Sequence, residues 1–101
     1  MFLIQILLPL FDNSGHRVAK REFQAVKNEL TATFEGLTAY SRSAAEGFWG
    51  KGQETKRDEI VVYEVMVAKV RKGWWKKYRS RLEKRFRQDS ILIRSHRVKT
   101  L

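Results

Sequence analysis

The sequence predicts one α+β domain spanning residues 1–101, with the element order β-α-β-β-α-β and a four-stranded antiparallel sheet. Three observations lead there. Met1 to Phe11 (MFLIQILLPLF) and Asp58 to Ala68 (DEIVVYEVMVA) are apolar at consecutive positions, as strands in the middle of a sheet are. Two other stretches repeat apolar residues every three or four positions, the period of an amphipathic helix. Each helical stretch lies between two strand-like ones, so the chain divides into two βαβ halves. At ~100–200 residues per domain, 101 residues make a single core. An apolar share of 43% is too high for a disordered polyelectrolyte, even with 32% of positions charged. Without cysteine there is no disulfide, thiolate zinc site or thiol nucleophile.

The first strand, about nine residues within Met1 to Phe11, resembles a secretion signal only in its apolarity. It lacks a basic leading region and a small-residue cleavage site. It is also well short of the ~20 apolar residues that span a bilayer. A cytoplasmic protein without a membrane partner is expected. Asp12-Asn13-Ser14-Gly15 is a cluster of turn formers that ends this strand. Val18, Ala19, Phe23, Val26, Leu30 and Phe34 then mark the apolar face of the first helix, and Gly36 stands where a C-terminal glycine stops one. Leu37 to Arg42 reads as a short strand, and Ser43 to Lys56 as a long loop holding Phe48-Trp49. Asp58 to Ala68 is a second central strand, rich in β-branched residues. Gly73 to Gln88 is the second helix, with Trp75, Tyr78, Leu82 and Phe86 on its buried stripe and Trp74 beside it, read as an interface residue. Ser90 to Val98 closes the order as a strand.

This is the split-βαβ, ferredoxin-like arrangement, and right-handed crossovers put both helices on one face of the sheet. The other face then lacks cover from its own chain. The sides carrying Gln5 and Glu64 are polar at one position and otherwise apolar. An apolar sheet face of that size predicts a homodimer, packed sheet to sheet or edge to edge.

The net charge of +10 is unevenly spread. Residues 1–68 hold 8 Lys/Arg and 9 Asp/Glu, a balance of −1, whereas residues 69–101 hold 13 and 2, a balance of +11. Arg71, Lys72, Lys76, Lys77, Arg79, Arg81, Lys84, Arg85 and Arg87 surround the second helix, relieved only by Glu83. Like charges at i,i+4 spacing oppose each other, so the pattern costs helix stability unless a partner offsets it. These nine residues are the candidate anion-binding surface, for nucleic acid or an acidic protein. The plainer alternative is a solvated helix face whose long basic side chains cover apolar surface.

A second candidate site lies on the open sheet face. Glu64 sits mid-strand among apolar neighbours, a setting that suits a proton-transfer group. Gln5 sits on the same layer, Tyr40, Arg42, Arg94 or His96 could point there from the edge strands, and Trp49 could line a pocket beside them or cap the core. A carboxylate with a histidine and an arginine can do acid–base work on a small anion, or sense one. The blander reading is a Glu–Arg pair or a dimer seam. His16 and His96 are the only histidines, without metal-ligand spacing, so no metal is expected, and no cofactor motif occurs. The glycines of Gly47 to Gly52 lack the order of a phosphate-binding loop.

RNA-recognition motifs share the element order, but here the third strand has Tyr63 as its sole aromatic and two leading acids. Nucleic-acid binding would therefore run through the basic helix. The chain also resembles a family of small uncharacterised bacterial proteins. The resemblance rests on Phe34-Glu35-Gly36-Leu37-Thr38, Gly47-Phe48-Trp49 and Phe86-Arg87-Gln88-Asp89-Ser90-Ile91, which occur in the same order. It implies a ferredoxin-like fold and brings no activity or catalytic residue. The resulting expectation is a non-enzymatic, dimeric binding module for an anionic partner. The alternative is a small-molecule enzyme or sensor around Glu64.

Overall fold

In a computed structural model, the chain forms β1 (Phe2–Pro9), α1 (Lys20–Thr33), β2 (Leu37–Arg42), β3 (Ile60–Val67), α2 (Lys72–Arg85) and β4 (Leu92–Arg97). Residues 1–34 and 60–101 are described in full, and 37–42 by their backbone. The strands make one sheet in the order β2-β3-β1-β4, every neighbouring pair antiparallel. The two most apolar strands are therefore the central ones. Among the described residues no helix is long and apolar enough to cross a membrane.

Side chains alternate across a strand, so pairing decides what is buried. Ile4 faces Val65, and Ile6 faces Tyr63 and Ile93. Ile4, Ile6, Leu8, Tyr63 and Val65 join Val26 and Leu30 of α1 and Trp75, Tyr78 and Leu82 of α2 in one buried cluster. Both helices thus share one sheet face. Fully burying a side chain such as Leu30 or Leu82 contributes about 1.5–3 kcal/mol. The opposite side of β1 is only half-buried, so the run that reads as apolar on both faces is covered by its own chain on one.

The helices are joined at two levels. The Phe23 ring meets Phe86 edge-on at 5.1 Å, and Phe34 stacks on Trp75 at 5.3 Å. Trp74 is half-buried and packs one side against Phe34 and Tyr78. Beside these rings Arg85 donates to Glu22 at 3.3 Å and to Glu29 at 2.9 Å, and the Tyr78 hydroxyl donates to Glu29 at 2.7 Å. Burial alone would raise the Glu29 carboxyl pKa, but the bonds from Tyr78 and Arg85 and the charges of Arg85 and Arg81 outweigh it, holding it below the usual range. The Tyr78 phenol is pushed well up, by burial first and then by Glu29.

Two boundaries differ from the sequence reading, each for a local reason. Val18 is buried but precedes α1, because its N–H bonds to the Leu10 carbonyl and Phe11 bridges Arg17. The second helix ends at Arg85 instead of Gln88, because Arg87 turns left-handed at φ +52°. The Arg87 N–H then bonds to the Lys84 carbonyl and the Gln88 N–H to that of Glu83, closing a Schellman cap with arginine in the usual glycine position. Gly36 and the Ser43 to Lys56 loop lie outside the described residues.

A left-handed non-glycine residue costs about 1–2 kcal/mol, so Arg87→Gly should raise unfolding stability by about 1 kcal/mol in urea melts. Glu29 gives a pH test. Its folded-state pKa is depressed, so its contribution is present above its unfolded value and lost as pH falls through the folded one. Comparing unfolding at about pH 6 and about pH 3, Glu29→Gln should reduce the acid-linked loss of stability.

Candidate functional site

The first constellation is α2 itself. Its buried stripe, Trp75, Tyr78 and Leu82, leaves the rest of the helix to cations. Arg71, Lys72, Lys76, Lys77, Arg79, Arg81, Lys84 and Arg87 are all exposed. Arg85 is the exception, half-buried and held by Glu22 and Glu29, so it joins the helices. Glu83, the only acid in the helix, is engaged locally: it accepts the Ile91 N–H at 3.1 Å and sits 3.7 Å from Arg79. The Arg81 guanidinium lies 5.3 Å from the Tyr78 ring centre. The N-terminal turn has no acid and no side-chain cap, although a helix N-terminus favours negative charge.

The cations fall on two sides of α2. Lys72, Lys76 and Arg79, at i, i+4 and i+7, line a groove between α2 and β4 of about 250 Å³. Ile4, Val70, Trp75 and Ile93 contribute its apolar part, and Arg94 and Ser95 its far wall. Lys77 and Lys84 are exposed and do not line it. Sequence reading finds the stripe but not the groove, since the spacing of Lys72, Lys76 and Arg79 cannot tell which strand lies opposite.

The second constellation is on the open face. Gln5 pairs with Glu64 on one side and Arg94 on the other. The Val98 N–H bonds to the Met1 carbonyl, which makes Met1–Val98, Leu3–His96 and Gln5–Arg94 the hydrogen-bonded pairs of that ladder. Gln5 then meets Glu64 in a non-hydrogen-bonded pair, the kind in which side chains stand closer. Gln5 Nε2 donates to Glu64 at 2.7 Å, Arg94 Nε donates to Gln5 Oε1 at 2.8 Å, and His96 Nε2 lies 3.2 Å from the same oxygen. A carboxylate only accepts and a guanidinium only donates, so the amide has one consistent orientation. It follows that His96 presents Nε2–H. Gln5 thereby links an anion to a cation across three strands.

The four described residues of the second candidate site are thus brought together, and Trp49 lies outside the described residues. Around them Met66 and Leu92 are 38% and 50% exposed. His16 sits apart, 3.8 Å from Asp12. The backbone N–H of His16 lowers the Asp12 carboxyl pKa, desolvation opposes it, and the Ser14 N–H adds to the lowering. Among the described residues, no group of three metal-ligating side chains converges.

Replacing Gln5 by Met keeps the side chain's bulk and removes the link, leaving Glu64 and Arg94 without their shared amide. The expected loss is about 1 kcal/mol for this half-exposed network, read by urea unfolding, with a shift of the His96 ring resonances in NMR. Set against known proteins, the chain matches no family model, no curated protein and no solved structure.

Proposed function

We propose that this chain is a non-enzymatic binding module of ferredoxin-like architecture, which engages an anionic partner, nucleic acid or an acidic protein, through α2. The observation that carries this reading is the exposure of the helix's cations together with the local engagement of its one acid, Glu83. A field of one sign with little internal compensation attracts anions and speeds their encounter. The half-exposed apolar positions around Gln5 and Glu64 support a homodimer packed through the open face. The strand order β2-β3-β1-β4 supports the architecture. We place the module in the cytoplasm, with the apolar run Phe2–Pro9 serving as a central strand.

One observation favours a second reading, an enzyme or sensor for a small molecule on the open face. Glu64, Gln5, Arg94 and His96 are linked there by hydrogen bonds. The two readings separate by mutation. Glu64→Gln disables the second while leaving α2 binding intact.

Fluorescence anisotropy with labelled single- and double-stranded oligonucleotides, and with poly-glutamate, tests the first reading. Saturable binding to one of them should survive ~150 mM salt, where the Debye length is ~8 Å. Lys76→Glu, Arg79→Glu and Lys84→Glu together should weaken it by at least about tenfold. For duplex DNA they should also flatten the salt slope by about 0.9 for each phosphate no longer neutralised. Binding unchanged in the triple variant, or no binding at all, overturns the reading.

A further inference from the structure

β4 is an edge strand, and its alternation gives it two different sides. Leu92, Arg94 and His96 spend their backbone groups on β1, by the register that the Met1–Val98 pair sets. Ile93, Ser95 and Arg97 therefore turn their N–H and C=O groups outward, where no strand of the sheet pairs with them. The side chains of these same three residues lie on the helix side, and Ile93 and Ser95 border the groove that Lys72, Lys76 and Arg79 line. Among the described residues this is a row of outward backbone groups without a strand partner beside a groove between a strand and a helix, the geometry of β-strand addition.

We infer that β4 and α2 form the docking site of an extended acidic segment of a partner protein, which adds to the sheet as a fifth strand and lays alternate side chains into the groove. This rests on the anion-binding reading of α2 and names the partner's class. The edge offers alternating donors and acceptors, which a peptide backbone matches and a phosphate backbone, having no donors, does not. About 250 Å³ is below the volume of a typical small-molecule pocket, so it suits one or two side chains. Its apolar floor takes their methylenes and the three cations that α2 contributes take their carboxylates. A second copy of β4 is a poor occupant, because the strand carries Arg94 and Arg97 and no acid to offset them; such charges guard edges against self-pairing while leaving them open to acidic strands.

The test uses the full chain and a fluorescein-labelled peptide of alternating Glu and Val, with an oligonucleotide titrated in parallel. The peptide should bind saturably, and amide exchange at Ile93, Ser95 and Arg97 should slow on binding, measured by NMR on the unaltered protein. Lys72→Glu with Lys76→Glu should weaken binding by about tenfold or more, whereas Lys77→Glu with Lys84→Glu on the outward side should change it less than about threefold. Ser95→Pro removes an outward donor that the sheet does not use, so it should weaken the peptide by about tenfold while sparing the fold. A peptide N-methylated at alternate residues should lose binding similarly. If the oligonucleotide binds and the peptide does not, this inference fails while the reading of α2 stands. If neither binds, both fail. Peptide binding that leaves amide exchange along β4 unchanged overturns strand addition, whatever Ser95→Pro does.

Discussion

Because β1 is paired on both sides, its register decides at once which side chains enter the core and which polar groups meet on the opposite face. Gln5 stands opposite both Glu64 and Arg94, and the same pairing stacks Ile4 on Val65 and Ile6 on Tyr63. A slip by one residue would carry Gln5 into the helix-covered core and push Ile4 and Ile6 out. The polar network and the core therefore support one alignment. The gain from Gln5 is accordingly one of specificity as well as energy, since an amide among acid and base finds partners on one face only.

The second constraint is electrostatic. A 14-residue helix with cations on every exposed side repels itself, and its N-terminal turn adds charge of the unfavourable sign. Three features soften this within the chain. Arg85 is neutralised by Glu22 and Glu29 from α1, Arg79 lies near Glu83, and Lys84 and Arg85 sit at the end where the helix dipole favours them. What holds α2 in place is its apolar stripe, with Trp75, Tyr78 and Leu82 buried. The remaining charge contributes little to the fold, which is why its exposure bears on partners.

Much of the architecture was legible because period and composition act locally. The strand Leu37–Arg42 lies where its sequence predicts, and the stripe Trp75, Tyr78, Leu82 and Phe86 is buried as its spacing requires. Misses occur where a distant or unusual backbone partner decides. Val18 fits the helical spacing, yet its N–H is taken by Leu10, and Arg87 ends α2 in a conformation for which arginine gives no signal. The open-face site was legible as a set of residue types, but its geometry depended on pairings that periodicity leaves free. Arg85 shows the same limit from the other side. Nothing in its neighbourhood along the chain distinguishes it from Arg81 or Lys84, and only α1 packing beside it removes it from the exposed surface.

The two sides of β4 bring these constraints together. Residues 92, 94 and 96 bond to β1 and belong to the open face, while residues 93, 95 and 97 turn their backbone outward, the first two beside the basic groove. A dimer that covers the open face would use the first set, and a strand added at the edge would use the second. One six-residue strand can therefore serve two surfaces without competition between them. The charges also divide in this way: Arg94 is drawn towards Gln5 on the open face, and Arg97 lies over the Phe2 ring, 5.5 Å from its centre, on the other. With those two occupied by their own chain, the cations that face the edge across the groove are Lys72, Lys76 and Arg79 of α2. An acidic strand at this edge would therefore be held by its backbone on β4 and by its carboxylates on α2, so that both the sheet edge and the basic helix contribute to the same interface.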